Sequence, residues 1–168
     1  MIIKWDITIP QLSGDQVRKA YVYLPESYEE DPERRYPVMY LFDGHNVFFD
    51  EDATYGTSWG MYDYMEESGK QLILVGIECN REGDGRLREY APVTFEDSEL
   101  GRIEGEGKRY MHWLIKELKP YIDGNFRTLP DRENTLICGS SMGGLMALYA
   151  ATTFNHVFRR AACLSPSL

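Results

Sequence analysis

The sequence predicts a three-layer α/β fold in which a mostly parallel β-sheet is covered by helices on both faces. Short β-rich runs alternate along the chain with segments of helical periodicity, which is typical of such layered domains. Two of the runs, Val38 to Phe42 and Leu72 to Ile77, are continuously apolar, as expected for strands buried on both faces of a parallel sheet. With 168 residues the chain can build one substantial core, so we expect residues 1–168 to form a single α/β domain.

The first half of the chain supplies the opening strands of this sheet. Ile2 to Ile9 and Val17 to Leu24 are rich in β-branched and aromatic residues, and the Ser-Gly-Asp turn at 13–15 predicts that they form a hairpin. A loop rich in charge and proline leads into the apolar strand that begins at Val38. The helical pattern from Trp59 to Ser68 then separates the two buried strands.

The second half opens with a long polar, glycine-rich segment, Asn80 to Gly107. Segments of that length usually serve a site or are mobile, so we expect a substrate loop there. From Lys108, apolar residues at helical spacing predict a helix that ends at Gly124. Thr135 to Cys138 is a predicted strand, and it is followed by a helix and a last strand at Gly144 to Thr153 and Ala161 to Leu164.

Composition and charge exclude several classes of function. The formal net charge of -9 arises from short acidic clusters without a basic patch, so nucleic acid is not an expected partner. The amino-terminal sequence MIIKWDITIP lacks the apolar run of a signal peptide, and no later stretch is apolar enough to span a bilayer. Cys79, Cys138 and Cys163 lie in or beside apolar runs and are expected to be buried thiols, which favours a cytoplasmic location. No cofactor is expected.

The pentapeptide GSSMG at 139–143 fits the pattern G-x-S-x-G of a nucleophile elbow. It stands between the predicted strand TLIC and the helical run GLMALYAAT, which is the context that the motif requires. The sharp turn strains the serine backbone and leaves room only for glycine two residues before and after it. Centring the motif on Ser140 would put a cysteine and a methionine at those positions. Ser141 is therefore the predicted nucleophile, and a chance glycine-rich turn is the alternative.

A serine nucleophile also needs N–H donors for the oxyanion and a base to accept its proton. The N–H of Met142, at the positive end of the helix that follows, is one predicted donor. The second is expected from the loop DGHN at 43–46, which follows the first apolar strand and lets the backbone approach closely. We assign this donor to His45, with Gly44 and Asn46 as alternatives.

Five segments distributed almost from end to end carry a family resemblance. They are YVYLPESY, YPVMYLFDGHNVF, KELKPYIDGNFRT, CGSSMGGLMALYAA and FRRAACLSPSL. Together they resemble an esterase family of the α/β-hydrolase fold that includes esterase D, feruloyl esterases and enterochelin-type siderophore esterases. The resemblance implies an acyl-enzyme mechanism on an ester or thioester. It also implies that Ser141 is the nucleophile and that Met142 and His45 supply the oxyanion N–H groups.

The chain departs from this family after the elbow. In the α/β-hydrolase fold the triad follows the order Ser, Asp or Glu, His, and the family carries the last two on loops after later strands. Because the sequence extends only about one strand beyond Ser141, we expect a sheet truncated after about the sixth strand and lacking the usual acid and base. His45, His112 and His156 are not predicted to replace the base, since they fall in the oxyanion loop, on a helix flank and in a polar turn.

The sequence contains two weaker patterns besides the elbow motif. The segment DEDAT at 50–54 resembles the start of a calcium loop, but Tyr55 and Met61 stand where that loop requires glycine and glutamate, so no metal site is predicted. Arg88 and Tyr90 lie in a segment similar to one near the substrate in the family, and they are predicted to line the pocket. A surface salt bridge is the alternative for Arg88.

The sequence therefore predicts a serine esterase that acts on a small-molecule ester. The alternatives are a non-catalytic fragment or interaction module that lacks the acid and base, and an acyltransferase on the same fold. The last strand, Ala161 to Leu164, has no charge, proline or bulge within it, and no later strand covers its edge. We therefore also expect self-association or a companion chain at this strand.

Overall fold

The computed structural model describes residues 1–168. Its strands are β1 (Ile2–Ile7), β2 (Arg18–Tyr23), β3 (Val38–Leu41), β4 (Ile73–Ile77), β5 (Phe95–Asp97), β6 (Gly101–Ile103), β7 (Thr135–Ser140) and β8 (Arg160–Leu164). Its α-helices are α1 (Pro10–Ser13), α2 (Ser27–Glu30), α3 (Met61–Ser68), α4 (Gly85–Glu89), α5 (Gly107–Trp113), α6 (Lys119–Asn125) and α7 (Met142–Thr153). A π-helical segment, Leu114–Leu118, joins α5 to α6. One 3₁₀ turn, Gly44–Asn46, follows β3, and a second, Arg132–Asn134, precedes β7.

Six of the strands form one sheet in the order β1-β2-β4-β3-β7-β8. β2 pairs antiparallel with both β1 and β4, so the predicted opening hairpin is confirmed. The strands β4, β3, β7 and β8 run parallel, with Val38 opposite both Ile73 and Thr135, and Leu136 opposite Arg160. The predicted α/β fold with a mainly parallel sheet is thereby confirmed.

Each face of the sheet has its own core, because side chains along a strand alternate between the two faces. Along β4, Ile73, Val75 and Ile77 pack into a cluster of 27 buried residues, whereas Leu74 packs into a second cluster of 8. The helices α5, α6 and α7 contribute to the larger cluster, and Met65 of α3 contributes to the smaller one. Helices therefore cover both faces, as a three-layer arrangement requires.

The segment Asn80–Gly107, which was predicted to be a substrate loop, contains regular structure. It holds α4 and a separate antiparallel hairpin of β5 and β6. Glu89 at the end of α4 accepts a hydrogen bond from the Arg18 guanidinium on β2, with Nη1 and Oε2 2.9 Å apart, and both side chains are only 1% exposed. The sequence did not reveal this regular structure, because partners 71 residues apart leave no periodic pattern in the local sequence. The role of the segment as a substrate loop stays a prediction.

The helix predicted from Lys108 is confirmed, but its middle turn is wider than an α-helical turn. The helical run begins at Gly107 and ends at Asn125, one residue beyond the predicted end. The π-helical segment lies just before Pro120. Proline cannot donate a hydrogen bond to the carbonyl one turn earlier, so the wider turn accommodates the missing bond without ending the helix.

Two features of the structure relate to the predicted cytoplasmic location: the state of the cysteines and the character of the helices. All three cysteines are free; Cys79 and Cys138 are buried, and Cys163 is partly buried. No helix of the structure combines the length and the apolar character needed to cross a lipid bilayer. The cytoplasmic location stays a prediction.

β8 lies at an edge of the main sheet. It pairs with β7 on one side and with no strand on the other. Leu164 at its end is 47% exposed. The edge is therefore open, and association through it stays a prediction.

Candidate active site

The chain turns sharply from β7 into α7 at Ser141. This residue has φ 56° and ψ -121°, a conformation that residues with a side chain rarely adopt. Its N–H donates to the Leu164 carbonyl at 3.0 Å, and its carbonyl accepts from the Leu145 N–H at 3.0 Å. Hydrogen bonds on both sides thus hold the strained turn, which leaves the Ser141 side chain exposed.

Glycine is required on both sides of Ser141, but to different degrees. A Cβ on Gly139 would lie well inside van der Waals contact with the backbone carbonyl of Gly143. A Cβ on Gly143 would lie 3.0 Å from the Cβ of Phe42. Because backbone at the elbow cannot give way as easily as a side chain, the demand for glycine is stricter at Gly139.

The Ser141 hydroxyl has one side-chain partner within the chain, the hydroxyl of Ser167 at 3.2 Å. His45 bonds through Nε2 to a threonine hydroxyl at 3.0 Å. His112 and His156 both pack against one phenylalanine ring, with centroid distances of 5.9 and 6.3 Å. No histidine or carboxylate of residues 1–168 therefore forms a hydrogen bond with this serine.

The turn Gly44–Asn46 follows β3 and lies beside the elbow. It is entered through Asp43, whose φ of 54° is left-handed. A Cβ on Gly44 would overlap the backbone of Gly76 on β4, so glycine lets the turn pack directly on the neighbouring strand. His45 is 3% exposed, and its N–H donates to no side chain and to no loop carbonyl. This N–H therefore has no hydrogen-bond partner of that kind within the chain.

His45 and Ser141 line the same polar cleft, which has a volume of about 390 Å³. Met142 is the first residue of α7, so its N–H has no carbonyl of an earlier helical turn to bond. The Met142 side chain lines a neighbouring apolar pocket of about 300 Å³. β3 and β7 are parallel neighbours whose carboxyl ends lie at the same edge, which brings the turn after β3 close to Ser141. The other residues of the cleft are Asp43, Asn46, Thr54, Tyr55, Thr57, Trp59, Cys79, Arg86 and Ser140.

Arg88 and Tyr90, which were predicted to line the substrate pocket, do not line this cleft. Tyr90 is fully buried, and its hydroxyl accepts a hydrogen bond from the Asp43 N–H at 3.1 Å. The Arg88 guanidinium pairs with Asp84 one helical turn earlier at 3.1 Å. Arg86 lines the cleft instead, and its Nε and Nη2 donate to the two carboxylate oxygens of Asp43 at 2.8 and 2.7 Å. The prediction, which was made from the family resemblance, missed Arg86. Arg86 and Arg88 are two residues apart on α4 and therefore face opposite sides of the helix.

Burial and one ion pair determine the charges at the base of the cleft. Burial lowers the pKa of His45 below its ordinary value, so its imidazole is neutral at pH 7. Hydrogen bonds to the Asp43 carboxylate raise the pKa of Arg86, which stays charged. Burial, with the charge of Asp43, raises the pKa of the Cys79 thiol, which stays protonated. The cleft therefore presents the ion pair of Arg86 and Asp43 and no competing thiolate nucleophile.

Curated proteins are similar to this chain over most of its length. A family model described as "Putative esterase" matches residues 13–168. The uncharacterized protein YbbA of Bacillus subtilis is 24% identical over 152 residues, which are 89% of this chain and 57% of that protein. Esterase Rv1288 of Mycobacterium tuberculosis is 30% identical over 136 residues, which are 80% of this chain and 26% of that protein. This chain thus spans a little more than half the length of YbbA and about a quarter of the length of Esterase Rv1288.

Solved structures match the whole chain. The IroE-like serine hydrolase from Shewanella oneidensis superimposes with a TM-score of 0.78 at 25% identity, over 100% of this chain and 51% of that one. The BES protein from Bacillus cereus has the same fold, with a TM-score of 0.71 at 24% identity over 99% of this chain and 61% of that one. Because the family match covers residues 13–168, from the turn before β2 to Leu168, this chain belongs to the esterase family.

Proposed function

We propose that this chain carries the nucleophile half of a serine esterase, which hydrolyses a carboxylic ester or thioester through an acyl-enzyme on Ser141. The observation that carries the proposal is the backbone of Ser141, which has φ 56° at the start of a 12-residue helix. A strained strand-to-helix turn of this kind exposes the serine hydroxyl at the edge of the sheet, where an ester carbonyl can approach it. Membership of the esterase family supports the same class of reaction.

In the proposed reaction the Ser141 Oγ attacks the ester carbonyl and displaces the alcohol or thiol, and water then releases the acid. The N–H groups of Met142 and His45 bind the negative oxygen that develops during the attack. The dipole of α7 adds roughly half a positive charge near Met142. Loss of one such donor costs about 10²–10³-fold in kcat in a serine protease, so this pair is a large part of what the chain contributes.

We propose that the acid and base come from residues outside 1–168. The Ser141 hydroxyl bonds to Ser167 and to no histidine. His45 is buried and bonds through Nε2 to Thr54, and neither of its ring nitrogens forms a hydrogen bond with Ser141. A triad enzyme that lacks its base keeps only about 10³–10⁴-fold acceleration over water, so the 168-residue chain alone is expected to turn over slowly.

We further propose that another polypeptide strand pairs with the open edge of β8, either from a second copy or from a chain that carries the acid and base. Unpaired backbone at an apolar edge is a template for strand addition. Light scattering on the 168-residue chain is expected to show a mass that rises with concentration. Leu164→Lys, a charge at a half-exposed position of this strand, should lower the association. A chain that is monomeric at every concentration and also hydrolyses esters at an ordinary rate would contradict this proposal.

The rival function is a non-catalytic interaction module. One observation favours it: the Ser141 hydroxyl bonds only to Ser167 and to no base. A serine without a base is a weak nucleophile. Such a module would keep the elbow as a structural turn. Its Ser141 would not react with reagents that trap activated serines.

Labelling with a fluorophosphonate separates the two functions. We expect the chain to label slowly at Ser141, and added imidazole, which replaces a missing histidine side chain, to accelerate the labelling. Ser141→Ala is the control and should not label under either condition. No labelling with or without imidazole would favour the module. Rapid labelling without imidazole would place the base among His45, His112 and His156.

A further inference from the structure

Three buried side chains with different donor atoms converge beneath the cleft. Asp43 and His45 follow β3, and Cys79 follows β4, its parallel neighbour in the sheet. One carboxylate oxygen, one imidazole nitrogen and the thiol sulfur all lie within 4.8 Å of one another. The residues are 2%, 3% and 4% exposed, so each donor is removed from bulk water. The esterase reaction proposed above uses none of these side-chain atoms.

A mixed set of oxygen, nitrogen and sulfur donors is the kind that binds Zn²⁺ and similar thiophilic cations. Donors of a tetrahedral zinc site lie roughly 3.3–3.8 Å apart, given metal–ligand bonds of about 2.0–2.3 Å. Side chains whose donors are within 4.8 Å can reach that spacing by movements of about 1 Å or less. Three protein ligands also leave the fourth position of the metal for water or a substrate atom.

The ring of His45 provides an independent indication of a ligand. Its Nδ1 is fully buried and has no hydrogen-bond partner, which is unusual for a buried polar atom. Its Nε2 bonds to the Thr54 hydroxyl at 3.0 Å. A histidine that binds a metal through one nitrogen is commonly held by a hydrogen bond at the other, and Thr54 is placed to do this.

An ion also has a route to the three donors. Asp43, His45 and Cys79 all line the cleft of about 390 Å³ that opens beside Ser141. The opposing feature is Arg86, which donates two hydrogen bonds to the Asp43 carboxylate. Its positive charge competes with a cation for the same carboxylate, so the affinity of the site depends on Arg86.

We propose that Asp43, His45 and Cys79 form a binding site for Zn²⁺ or another thiophilic divalent cation. On binding, the Cys79 thiol releases its proton to solvent and coordinates the metal as a thiolate. The metal then links the turn after β3 to the end of β4 and lies beneath the backbone of His45. Its expected effect on catalysis, which rests on the proposed function, is inhibition, because the metal partly fills the cleft and holds the turn with the oxyanion donor.

Isothermal titration of the metal-free chain with ZnCl₂ tests the site without any enzyme assay. We expect one Zn²⁺ per chain. Cys79→Ser should weaken binding by more than the roughly 10–100-fold that loss of an outer-shell partner costs. The matched control is Cys163→Ser, which removes a partly buried thiol on β8 and should leave the affinity unchanged. Equal affinity of Cys79→Ser and the native chain, or loss of binding only in Cys163→Ser, would overturn the proposal.

Two further measurements keep the test decisive if Cys79→Ser folds poorly. Cd²⁺ should produce the ultraviolet charge-transfer band of a cadmium thiolate in the native chain, and His45→Gln should weaken that band and the Zn²⁺ affinity. Arg86→Gln should bind Zn²⁺ several-fold more tightly, because the competing cation is gone. No thiolate band in the native chain, or no change in affinity in Arg86→Gln, would count against the three-residue site.

The inhibition is measured separately. Zn²⁺ should slow fluorophosphonate labelling of Ser141 in the native chain but not in Cys79→Ser. Equal slowing in both proteins would overturn the inhibitory role. If Ser141 does not label under any condition, the proposed esterase function fails, while the titrations still decide whether the metal site exists.

Discussion

The elbow at 139–143 and the segment Asn80–Gly107 serve the same cleft, but different kinds of interaction specify them. The elbow depends on steric limits within five consecutive residues, so glycine spacing around Ser141 reveals it. The segment is positioned by distant partners: Glu89 bonds to Arg18 across 71 residues, and Arg86 bonds to Asp43 across 43 residues. Local steric demands leave a pattern in the sequence, whereas long-range charge pairing does not.

The largest expected effect tests the elbow side of this comparison. Ser141→Ala should reduce ester hydrolysis by more than about 10³-fold, because no other hydroxyl lies at the strained position. Ser140→Ala, the adjacent control, should keep most of the activity since Ser140 ends β7 rather than occupying the turn. A p-nitrophenyl ester assay on both variants, with the acid and base supplied or replaced by imidazole, measures the difference. Equal activity of the two variants would show that the elbow is assigned wrongly.

The next effect tests how far the other segment depends on its distant partner. Glu89→Gln leaves the Arg18 charge buried without its counter-ion, and both side chains are 1% exposed. The free energy of unfolding should fall by about 3–5 kcal/mol. Urea denaturation followed by circular dichroism measures it. Glu104→Gln, which removes an exposed partner of Arg102, is the control and should leave the unfolding midpoint unchanged.

A third test sharpens the steric argument within the elbow. Gly139→Ala should destabilise the fold by about 3 kcal/mol, because its Cβ meets backbone, and Gly143→Ala by about 1 kcal/mol. Gly143→Val, with a branched side chain against Phe42, should not give a soluble folded protein. Thermal unfolding of the two alanine variants measures the order. Equal stability, or a soluble and fully active Gly143→Val protein, would contradict a crowded turn.

The smallest effect separates the two arginines of α4. Arg88→Ala should leave KM and kcat for an ester within about twofold of the native values, because Arg88 makes only an exposed helical pair with Asp84. Arg86→Ala should change them more, since Arg86 lines the cleft and holds the Asp43 carboxylate. The assay is the one used for Ser141. A larger effect of Arg88→Ala than of Arg86→Ala would support the prediction that Arg88 lines the substrate pocket.

The elements that the sequence predicted best are those with a local pattern of apolar residues or glycines. Continuous apolar runs identified β3 and β4, and helical spacing identified the run from Gly107 to Asn125 to within one or two residues. The elbow was identified by glycine at both tight positions. The hairpin of β5 and β6 was missed because its strands are three residues long and mostly polar, which gives no alternating pattern.

The sequence by itself determined the sheet, its covering helices and the place of Ser141, since apolar periodicity and the steric freedom of glycine are local properties. Only the tertiary structure decided that Arg86 rather than Arg88 or Tyr90 lines the cleft, and that Asp43, His45 and Cys79 converge beneath it. Parallel strands far apart in sequence end side by side, and helical rotation turns neighbouring residues to opposite sides. Which polar groups meet therefore depends on how the elements pack, and packing is a property of the whole chain.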